Sequence, residues 1–363
     1  MRRWMGSPQK CKWPLLALPM LLFWVACSKK DNVVVPSPPV PPAPPLVTIA
    51  PPPDLGFVVV GYFPSYRDPA QVPDQKFRMC NIVNYAFANV ASTGNLSVLN
   101  LSVLRTVAAK AKANNAKIFI SLGGQALDFR NMAASLASRT AFIREVMALV
   151  RTEGLHGVDV DWEFPRTDDG SDQLYLAFMQ QLSDSLHTNR QFYLSTAITS
   201  GKFPGAIRDA IPSVLWTAQK VDFFNIMSYD DFSTTQAYQQ HSPLSLSQTS
   251  LNYWVNTRGM PASKAVLGVP AYGRASGMTQ TGTTMGFAAI VTAGGSPLLD
   301  SAVVSQGSFL NYKIYYNGLP TIKQKAMLAR QQGGGVMMWE KGQDRIDANS
   351  LLKAICDTLG RTY

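Results

Sequence analysis

Short apolar runs alternate with amphipathic segments from Gly56 to the end of the chain. Eight of these runs are nearly all apolar over their first residues, as expected for strands that are covered on both faces. They span residues 57–63, 81–88, 117–123, 157–163, 192–198, 221–229, 265–272 and 335–340. Between most of them, apolar residues recur at helical spacing, as in 101–115, 139–154 and 173–187. This order predicts an α/β fold, a (β/α)₈ TIM barrel over residues 56–363. A doubly wound open sheet is the alternative, although no Gly-rich phosphate loop follows any of the strands.

The fourth run, HGVDVDWEFP (156–165), alternates acidic with apolar residues. Side chains two positions apart share one face of a strand. Asp159, Asp161 and Glu163 therefore line one face, and two valines and a tryptophan line the other. Because burying a carboxylate without a partner is costly, three acids on an inward face indicate a chemical role.

Polar and aromatic residues also gather near the predicted C-terminal ends of the strands. They are Tyr62, Phe87, Ser121, Glu163, Tyr229, Asp230, Tyr272 and Trp339. In a (β/α)₈ barrel the loops that follow the strands converge at this end and build the active site. We therefore expect the functional site here.

Six motifs at these strand ends resemble glycoside hydrolase family 18, the chitinase-like barrels. In chain order they are VGYF (60–63), SLGG (121–124), DVDWEFP (159–165), MSYD (227–230), GVPAYGR (268–274) and GGVMMWE (334–340). The resemblance covers roughly residues 57–360. It implies a retaining hydrolase of β-1,4-linked N-acetylglucosamine polymers, a chitinase, that needs neither a cofactor nor a metal.

The resemblance implies substrate-assisted catalysis, in which the N-acetyl carbonyl oxygen of the substrate attacks the anomeric carbon. Glu163 would be the general acid, with its pKa raised by the two acids behind it. Asp161 would bind the N-acetyl N–H and stabilise the oxazolinium cation, and Asp159 would share a proton with Asp161. Tyr229 would donate a hydrogen bond to the acetyl oxygen, and Asp230 would bind a hydroxyl or the amide edge of the sugar.

A second group of residues is implied to bind the substrate. It comprises Trp339, Tyr272, Arg274, Met227, Phe87, Tyr62 and Ser121. Trp339 would form an apolar platform beneath the sugar, Met227 would lie at the floor of the pocket, and Ser121 would hydrogen-bond the inner acids. Plain core packing is the alternative for Met227 and Phe87, and pairing with a loop acid is the alternative for Arg274.

The chain departs from the family pattern at three places. His156 stands where the family usually has an Asp, and Gln125 stands where a Trp often follows the third-strand glycines. The segment from 275 to about 310 is rich in Gly, Ser and Thr, and we expect it to be too short for the full α+β subdomain that larger members carry between strands 7 and 8. We therefore expect a short insertion, a shallow open groove and weak binding on the leaving-group side.

Two other functions stay open. An endo-β-N-acetylglucosaminidase that cuts N-glycan cores is compatible with Gln125 and an open groove. A non-catalytic chitin- or glycan-binding protein is the alternative from a different class. Such members of the family typically lose the acid at the end of the fourth strand, whereas Glu163 is present here.

The first 27 residues have the pattern of an export signal. Four basic residues precede the apolar run 13–26, which two prolines interrupt and which is shorter than a membrane span. The run ends at Ala26-Cys27-Ser28, which resembles a lipoprotein cleavage box with Cys27 as the lipidated residue. Ordinary secretion and an uncleaved anchor are the alternatives.

Residues 28–55, which are rich in proline, would form an extended tether. We therefore expect an outer-membrane or cell-surface lipoprotein, or otherwise a secreted or periplasmic protein, held to the membrane only by its lipid.

Charge and composition exclude other classes of protein. The net charge is +10, and removing the four basic residues of the signal leaves +6, scattered without a basic run. Nucleic acid is therefore a poor candidate for a partner. Separately, we expect the protein to be a monomer. The isolated histidines His156, His187 and His241 do not have the spacing of metal ligands. Cys80 and Cys356 would be either bridged or buried as free thiols.

Overall fold

The computed structural model describes residues 55–188, 192–231, 239–275 and 284–363. The predicted signal peptide 1–27, with Cys27, and the predicted tether up to residue 54 lie outside the described residues. Within the described ranges, no helix is both long and apolar enough to span a bilayer.

Eight parallel strands close into a barrel, which confirms the predicted (β/α)₈ fold. The strands of the described residues are β1 (Val58–Pro64), β2 (Ile82–Val90), β3 (Leu96–Val98), β4 (Lys117–Gly123), β5 (Gly157–Val160), β6 (Tyr193–Thr199), β7 (Phe223–Met227), β8 (Ala265–Pro270), β9 (Tyr272–Ala275), β10 (Thr284–Gly286), β11 (Ser301–Gln306), β12 (Phe309–Tyr315) and β13 (Gly335–Trp339). The order around the barrel is β1-β2-β4-β5-β6-β7-β8-β13, and β13 pairs with β1 to close it. The short β3 adds antiparallel to the end of β2.

Helices occupy the connections between the strands. They are α1 (Asp74–Arg78), α2 (Leu101–Ala113), α3 (Ala126–Ala133), α4 (Leu136–Thr152), α5 (Ser171–Leu186), α6 (Ala206–Asp209), α7 (Val214–Thr217), α8 (Leu244–Leu251), α9 (Phe287–Thr292), α10 (Leu319–Gln332) and α11 (Leu351–Leu359). The start of α4 shows why a helix begins where it does. Ser135 and Ser138 form a reciprocal capping box, which satisfies backbone donors that the first helical turn leaves unpaired.

Alternation along the strands divides the apolar residues between two cores. In β1, Val58, Val60 and Tyr62 point into the barrel, whereas Val59 and Phe63 pack outward with the surrounding helices. Each barrel strand is therefore buried on both faces, which explains its nearly continuous apolar sequence.

The expectation for the insertion between the seventh and eighth barrel strands was wrong in part. Strands β9 to β12 form an antiparallel sheet with the order β10-β9-β12-β11, and α9 lies between β10 and β11 in the chain. The chain therefore carries a small α+β unit here. Alternation in 301–315 buries Val304, Tyr312 and Ile314 despite the Gly-, Ser- and Thr-rich composition of the insertion, and Gly307 (φ 58°) supplies the left-handed turn of the hairpin.

The open questions about His156 and the two cysteines have simple structural answers. His156 lies at the start of β5, where its Nδ1 accepts a hydrogen bond of 3.1 Å from the backbone N–H of Ile118. Burial, with help from neighbouring lysines, lowers the pKa of His156, which suits a neutral acceptor. Cys80 and Cys356 are buried free thiols, not a disulfide.

Candidate active site

The innermost acid, Asp159, is fully buried and surrounded by hydrogen-bond donors. Its Oδ2 accepts hydrogen bonds from Tyr62 (2.6 Å) and Ser121 (2.7 Å), and its Oδ1 accepts from Ser195 (2.6 Å) and Asn225 (3.1 Å). Strand register produces two of these contacts, because Asp159 is the register partner of Ser121 on β4 and of Ser195 on β6. Burial raises the pKa of Asp159, and the four donors oppose that shift. The pKa remains raised on balance, but four donors on two oxygens match the hydrogen-bonding capacity of a carboxylate and so favour the anionic form of Asp159.

The middle acid, Asp161, has the opposite surroundings. Its side chain is buried, and its Oδ1 has no hydrogen-bond partner. Burial, followed by the negative charges of Glu163 and Asp159, raises the pKa of Asp161 well above its usual value. Of the two inner acids, Asp161 thus has the more strongly raised pKa, because it lacks the hydrogen-bond donors that surround Asp159.

The outermost acid, Glu163, reaches the mouth of the barrel and is exposed there. Regular strand geometry ends at Val160, three residues earlier than the predicted end of this strand, and the next residues continue as irregular chain. Trp162 is buried outside the barrel against Phe129, with ring centroids 4.9 Å apart, and this packing anchors the chain next to Glu163. Desolvation by the surrounding protein, and then the negative charge of Asp230, raise the pKa of Glu163. A raised pKa is what a general acid needs near neutral pH.

Asp230 is held by donors on three sides. Tyr272 donates a hydrogen bond of 2.6 Å to its Oδ1, and Arg274 forms two bonds, of 2.6 Å to Oδ1 and 3.0 Å to Oδ2. The Nδ1 atom of His241, which is fully buried, lies 3.3 Å from Asp230 Oδ1. Burial alone would raise the pKa of Asp230, but the hydrogen bonds from His241, Arg274 and Tyr272 outweigh it and hold the pKa well below its usual value. Asp230 is thus a fixed anion beside Glu163.

Asp161, Glu163 and Asp230 line a cavity of about 400 Å³ at the C-terminal end of the barrel. Its lining comprises Phe87, Asp161, Glu163, Phe164, Thr199, Ser200, Phe203, Met227, Tyr229, Asp230, Asp231, Tyr272 and Trp339. The Trp339 ring packs against Phe87, with centroids 5.7 Å apart, and against Tyr62 at 5.3 Å. An aromatic platform with acids on the opposite wall suits a sugar, which has apolar faces and polar edges.

The structure separates the predicted substrate-binding residues into two groups. Trp339, Tyr272, Met227 and Phe87 line the cavity. Tyr62 and Ser121 are 1% and 0% exposed and do not line the cavity with them, although the predicted hydrogen bond from Ser121 to an inner acid is confirmed. Both lie beneath the cavity and donate to Asp159, because their strands place them one layer deeper than the loops.

Arg274 also differs from its predicted position. It lies behind Asp230 and not among the residues that line the cavity. Its guanidinium group pairs with Asp230 through two hydrogen bonds, which is the alternative that the sequence left open.

Sequence reasoning missed several residues of the site. Ser195 and Asn225 hold Asp159 from below, and His241 contacts Asp230. Polar residues inside otherwise apolar strands, such as Ser195 in FYLSTAI, were the available signal. No local pattern pointed to His241, because it lies eleven residues after Asp230, which is beyond the spacing of one strand or helix face.

Comparison with known proteins agrees with this geometry. The family model described as "Glycosyl hydrolases family 18" matches residues 58–344, which is most of the chain and the whole barrel. The chain belongs to glycosyl hydrolase family 18.

Individual relatives within family 18 are moderately similar. Chitotriosidase-1 of Mus musculus is 26% identical over 328 residues, covering 77% of this chain and 68% of the relative. The crystal structure of the GH18 chitinase ChiB from Flavobacterium johnsoniae shows 28% identity and a TM-score of 0.67, covering 84% of this chain and 94% of that one. The chitinase-like agglutinin from Robinia pseudoacacia shares the fold at 21% identity, with a TM-score of 0.69 and coverage of 82% and 98%. The chain is thus a family 18 chitinase or chitinase-like protein.

Proposed function

We propose that this family 18 protein is an active, retaining chitinase that cleaves β-1,4-linked N-acetylglucosamine chains. The observation that carries the proposal is the graded stack of acids. Asp159 accepts hydrogen bonds from four donors, the pKa of Asp161 is raised well above its usual value, and Glu163 stands at the mouth with a raised pKa. A protein that only binds sugar has no need of a carboxylic acid in this protonation state at the position of the leaving group.

The proposed reaction begins with a sugar seated on Trp339. The acetamido carbonyl oxygen of the substrate forms a bond to the anomeric carbon while the glycosidic C–O bond breaks, and Glu163 gives its proton to the departing oxygen. Asp161 accepts a hydrogen bond from the acetamido N–H and stabilises the positive oxazolinium ring, and Tyr229 donates to the acetyl oxygen. Glu163, now a carboxylate, takes a proton from water, and that water opens the ring at the anomeric carbon with net retention.

A second candidate is an endo-β-N-acetylglucosaminidase that acts on N-glycan cores. Gln125 favours it, because this exposed residue at the start of α3 stands where a stacking Trp is common in the family. Without that ring, the leaving-group side of the groove has room for a substituted sugar.

We further propose that the protein is exported and works outside the cytoplasm. Support comes from residues 1–27, with a basic segment, an apolar run and Cys27 at its end, and from the proline-rich segment that follows. Labelling with a fatty-acid analogue, with Cys27→Ala as the control, tests lipidation. No label on the original chain would leave ordinary secretion as the better proposal.

Product analysis tests the function directly. The purified protein is incubated with chitin oligomers and, separately, with a high-mannose glycoprotein, and the products are identified by mass spectrometry. Shortened N-acetylglucosamine oligomers support the chitinase. Release of intact glycans supports the second candidate, and no product from either substrate contradicts a hydrolase.

Glu163→Gln is expected to lower kcat by about 10² to 10⁴-fold, because the amide cannot donate the proton, while sugar binding is largely retained. Initial rates and calorimetric titration with a chitin oligomer measure the two quantities. Glu153→Gln is the matched control, since that residue pairs with the exposed Arg105 and lies outside the cavity lining. Near-normal turnover by Glu163→Gln would contradict the assignment of the acid.

A further inference from the structure

A fully buried lysine outside the cavity takes no part in the chemistry described above. Lys325 lies on α10, is 0% exposed and is absent from the cavity lining. Burial lowers the pKa of Lys325 to about 7, and the negative charge of Asp300 opposes that shift only in part. Because a buried ammonium group is costly, the contacts that hold it indicate what the residue does.

The ammonium group of Lys325 has three neutral hydrogen-bond acceptors. Its Nζ donates hydrogen bonds of 2.7 Å to the backbone oxygen of Ser242, to Oγ of Ser242 and to Oδ1 of Asn317. The Nδ2 of Asn317 donates to the same backbone oxygen at 2.8 Å. Three acceptors match the three N–H groups of an ammonium ion. Lys325 therefore ties α10 and Asn317 to the chain segment that contains Ser242.

Ser242 connects this lysine to the end of β7. Ser242 is itself 0% exposed, and its Oγ donates a hydrogen bond of 2.7 Å to the backbone oxygen of Ser228. Ser228 follows β7 and directly precedes Tyr229, the residue proposed to bind the acetyl oxygen. Because the same hydroxyl group accepts from Lys325 and donates to Ser228, the ammonium group also orients that hydroxyl.

His241, which directly precedes Ser242, makes a second link to the same stretch of chain. Its backbone oxygen accepts a hydrogen bond of 2.9 Å from the N–H of Asp231. Its Nδ1 lies 3.3 Å from Oδ1 of Asp230, as described above. Residues 241–242 thus contact the chain on both sides of Tyr229.

We propose that Lys325 is a positioning residue for Tyr229 and Asp230. Its ammonium group holds residues 241–242 against residues 228–231, and it acts without contacting the substrate. This inference rests on the proposed hydrolase function. Tyr229 and Asp230 are proposed to bind the reacting sugar, where a small displacement lowers the rate of the chemical step.

Two measurements separate positioning from folding. Turnover of a chitin hexamer gives kcat. Calorimetric titration of the same variants in the Glu163→Gln background gives both Kd and the number of functional sites per chain. Lys325→Met should lower kcat about tenfold, since the support of Tyr229 and Asp230 is lost, and should change Kd by less than about threefold. The number of functional sites should stay at the original value.

Lys264→Met is the matched control. Lys264 also donates its ammonium group to backbone oxygens, those of Val221 and Asp222. These residues lie directly before β7 and Lys264 directly before β8, at the N-terminal end of the barrel, opposite the cavity. The control should change neither kcat nor Kd.

Ser242→Ala is a milder variant that keeps the buried lysine and removes the hydroxyl between Lys325 and Ser228. We expect kcat to fall about three- to fivefold, because one hydrogen bond on each side of that hydroxyl is lost. The double variant Lys325→Met/Ser242→Ala should be no slower than Lys325→Met alone, since both changes remove the same connection.

The outcomes separate the two proposals. If the original protein hydrolyses the hexamer and Lys325→Met keeps its kcat, the positioning role is excluded while the hydrolase stands. A loss of kcat that matches a loss of functional sites, or additive losses in the double variant, would also overturn it. If Lys325→Met does not fold, an unchanged kcat in Ser242→Ala overturns it. If the original protein hydrolyses no chitin oligomer, the proposed function fails, and the role of Lys325 in the reaction fails with it.

Discussion

At the scale of single residues, four carboxyl groups in this site have four different environments. Hydrogen-bond donors from neighbouring strands surround Asp159, whereas Asp161 is buried and one of its oxygens has no hydrogen-bond partner. Glu163 is exposed to solvent. Asp230 is in contact with Arg274, Tyr272 and His241. Because a buried carboxyl group titrates according to its donors and neighbouring charges, these environments shift the four pKa values differently, and the proposed mechanism depends on that difference.

The link between Asp230 and Glu163 yields a pH prediction. After desolvation, the negative charge of Asp230 is the cause that raises the pKa of Glu163. Glu163 must be protonated to act as an acid, so its pKa sets the alkaline limb of the pH profile of kcat/KM. Asp230→Asn removes the negative charge, lowers the pKa of Glu163 and should move that limb to lower pH.

The pH profile of hydrolysis of a chitin oligomer tests this shift. Asp168→Asn is the control, since it removes a surface charge that pairs with Arg166 outside the cavity. The alkaline limb reports an apparent pKa that belongs to Glu163 and Asp161 together. The test is therefore the shift of the limb between the original protein and the variant. An unchanged limb in Asp230→Asn would show that Asp230 does not set the proton affinity of the acid.

At the scale of elements, the loops after the strands carry the site, and the strands carry the residues that position it. Asp159 and its donors Ser121 and Ser195 lie on three adjacent strands in direct register. Phe203 and Asp231, by contrast, lie on loops after β6 and β7. This division is typical of barrels, where a rigid sheet supports variable binding loops.

The loop after β6 offers a stability test at this scale. Gly201→Ala would place a methyl group against the Tyr253 ring and would force a left-handed conformation on alanine. Strain of about 1–2 kcal/mol and overpacking of about 1–3 kcal/mol should together lower the free energy of unfolding by about 2–5 kcal/mol.

Urea unfolding measures this loss, and Gly170→Ala is the matched control. Gly170 is also left-handed (φ 73°), but nothing lies within 4 Å of the position that the alanine methyl group would take, so only the strain should appear. Equal losses in the two variants would show that the contact with Tyr253 does not anchor the loop.

At the scale of the whole molecule, closure of the barrel creates both the site and a few costly burials. Lys341, directly after Glu340 at the end of β13, is 1% exposed, and its Nζ has no hydrogen-bond partner and lies 3.4 Å from the ring centroid of Phe77. Burial, as the largest cause, lowers the pKa of Lys341 to about 8. Unfolded lysine titrates near 10.4, so between these values the unfolded chain binds more protons and this group makes stability rise with pH.

Lys341→Met should therefore stabilise the protein most below pH 8, where the folded state still carries the buried charge. We expect the free energy of unfolding to rise by about 1–3 kcal/mol at pH 7 and the gain to shrink toward pH 10. Urea unfolding at pH 7 and pH 9.5 measures it, with Lys353→Met, at a partly exposed lysine, as control. A loss of stability at pH 7 would show that the contact of the ammonium with Phe77 outweighs its desolvation.

The barrel, the order of its strands and the identity of the acids follow from the amino-acid sequence alone. Strands buried on both faces leave a continuous apolar signal, and alternation places Asp159, Asp161 and Glu163 on one inward face. These features depend on neighbours in the chain, so they can be read from short segments.

The surroundings of each acid, and hence the differences between their pKa values, are visible only in the folded protein. Ser195, Asn225 and His241 are far in sequence from the acids on β5. Their hydrogen bonds and charges, together with burial, shift the pKa values of Asp159 and Asp230. For the same reason, the sequence did not reveal that Tyr62 and Ser121 lie beneath the cavity or that residues 272–315 form a small α+β unit. Hydrogen bonding and desolvation act through space between residues far apart in sequence, so no local pattern records them.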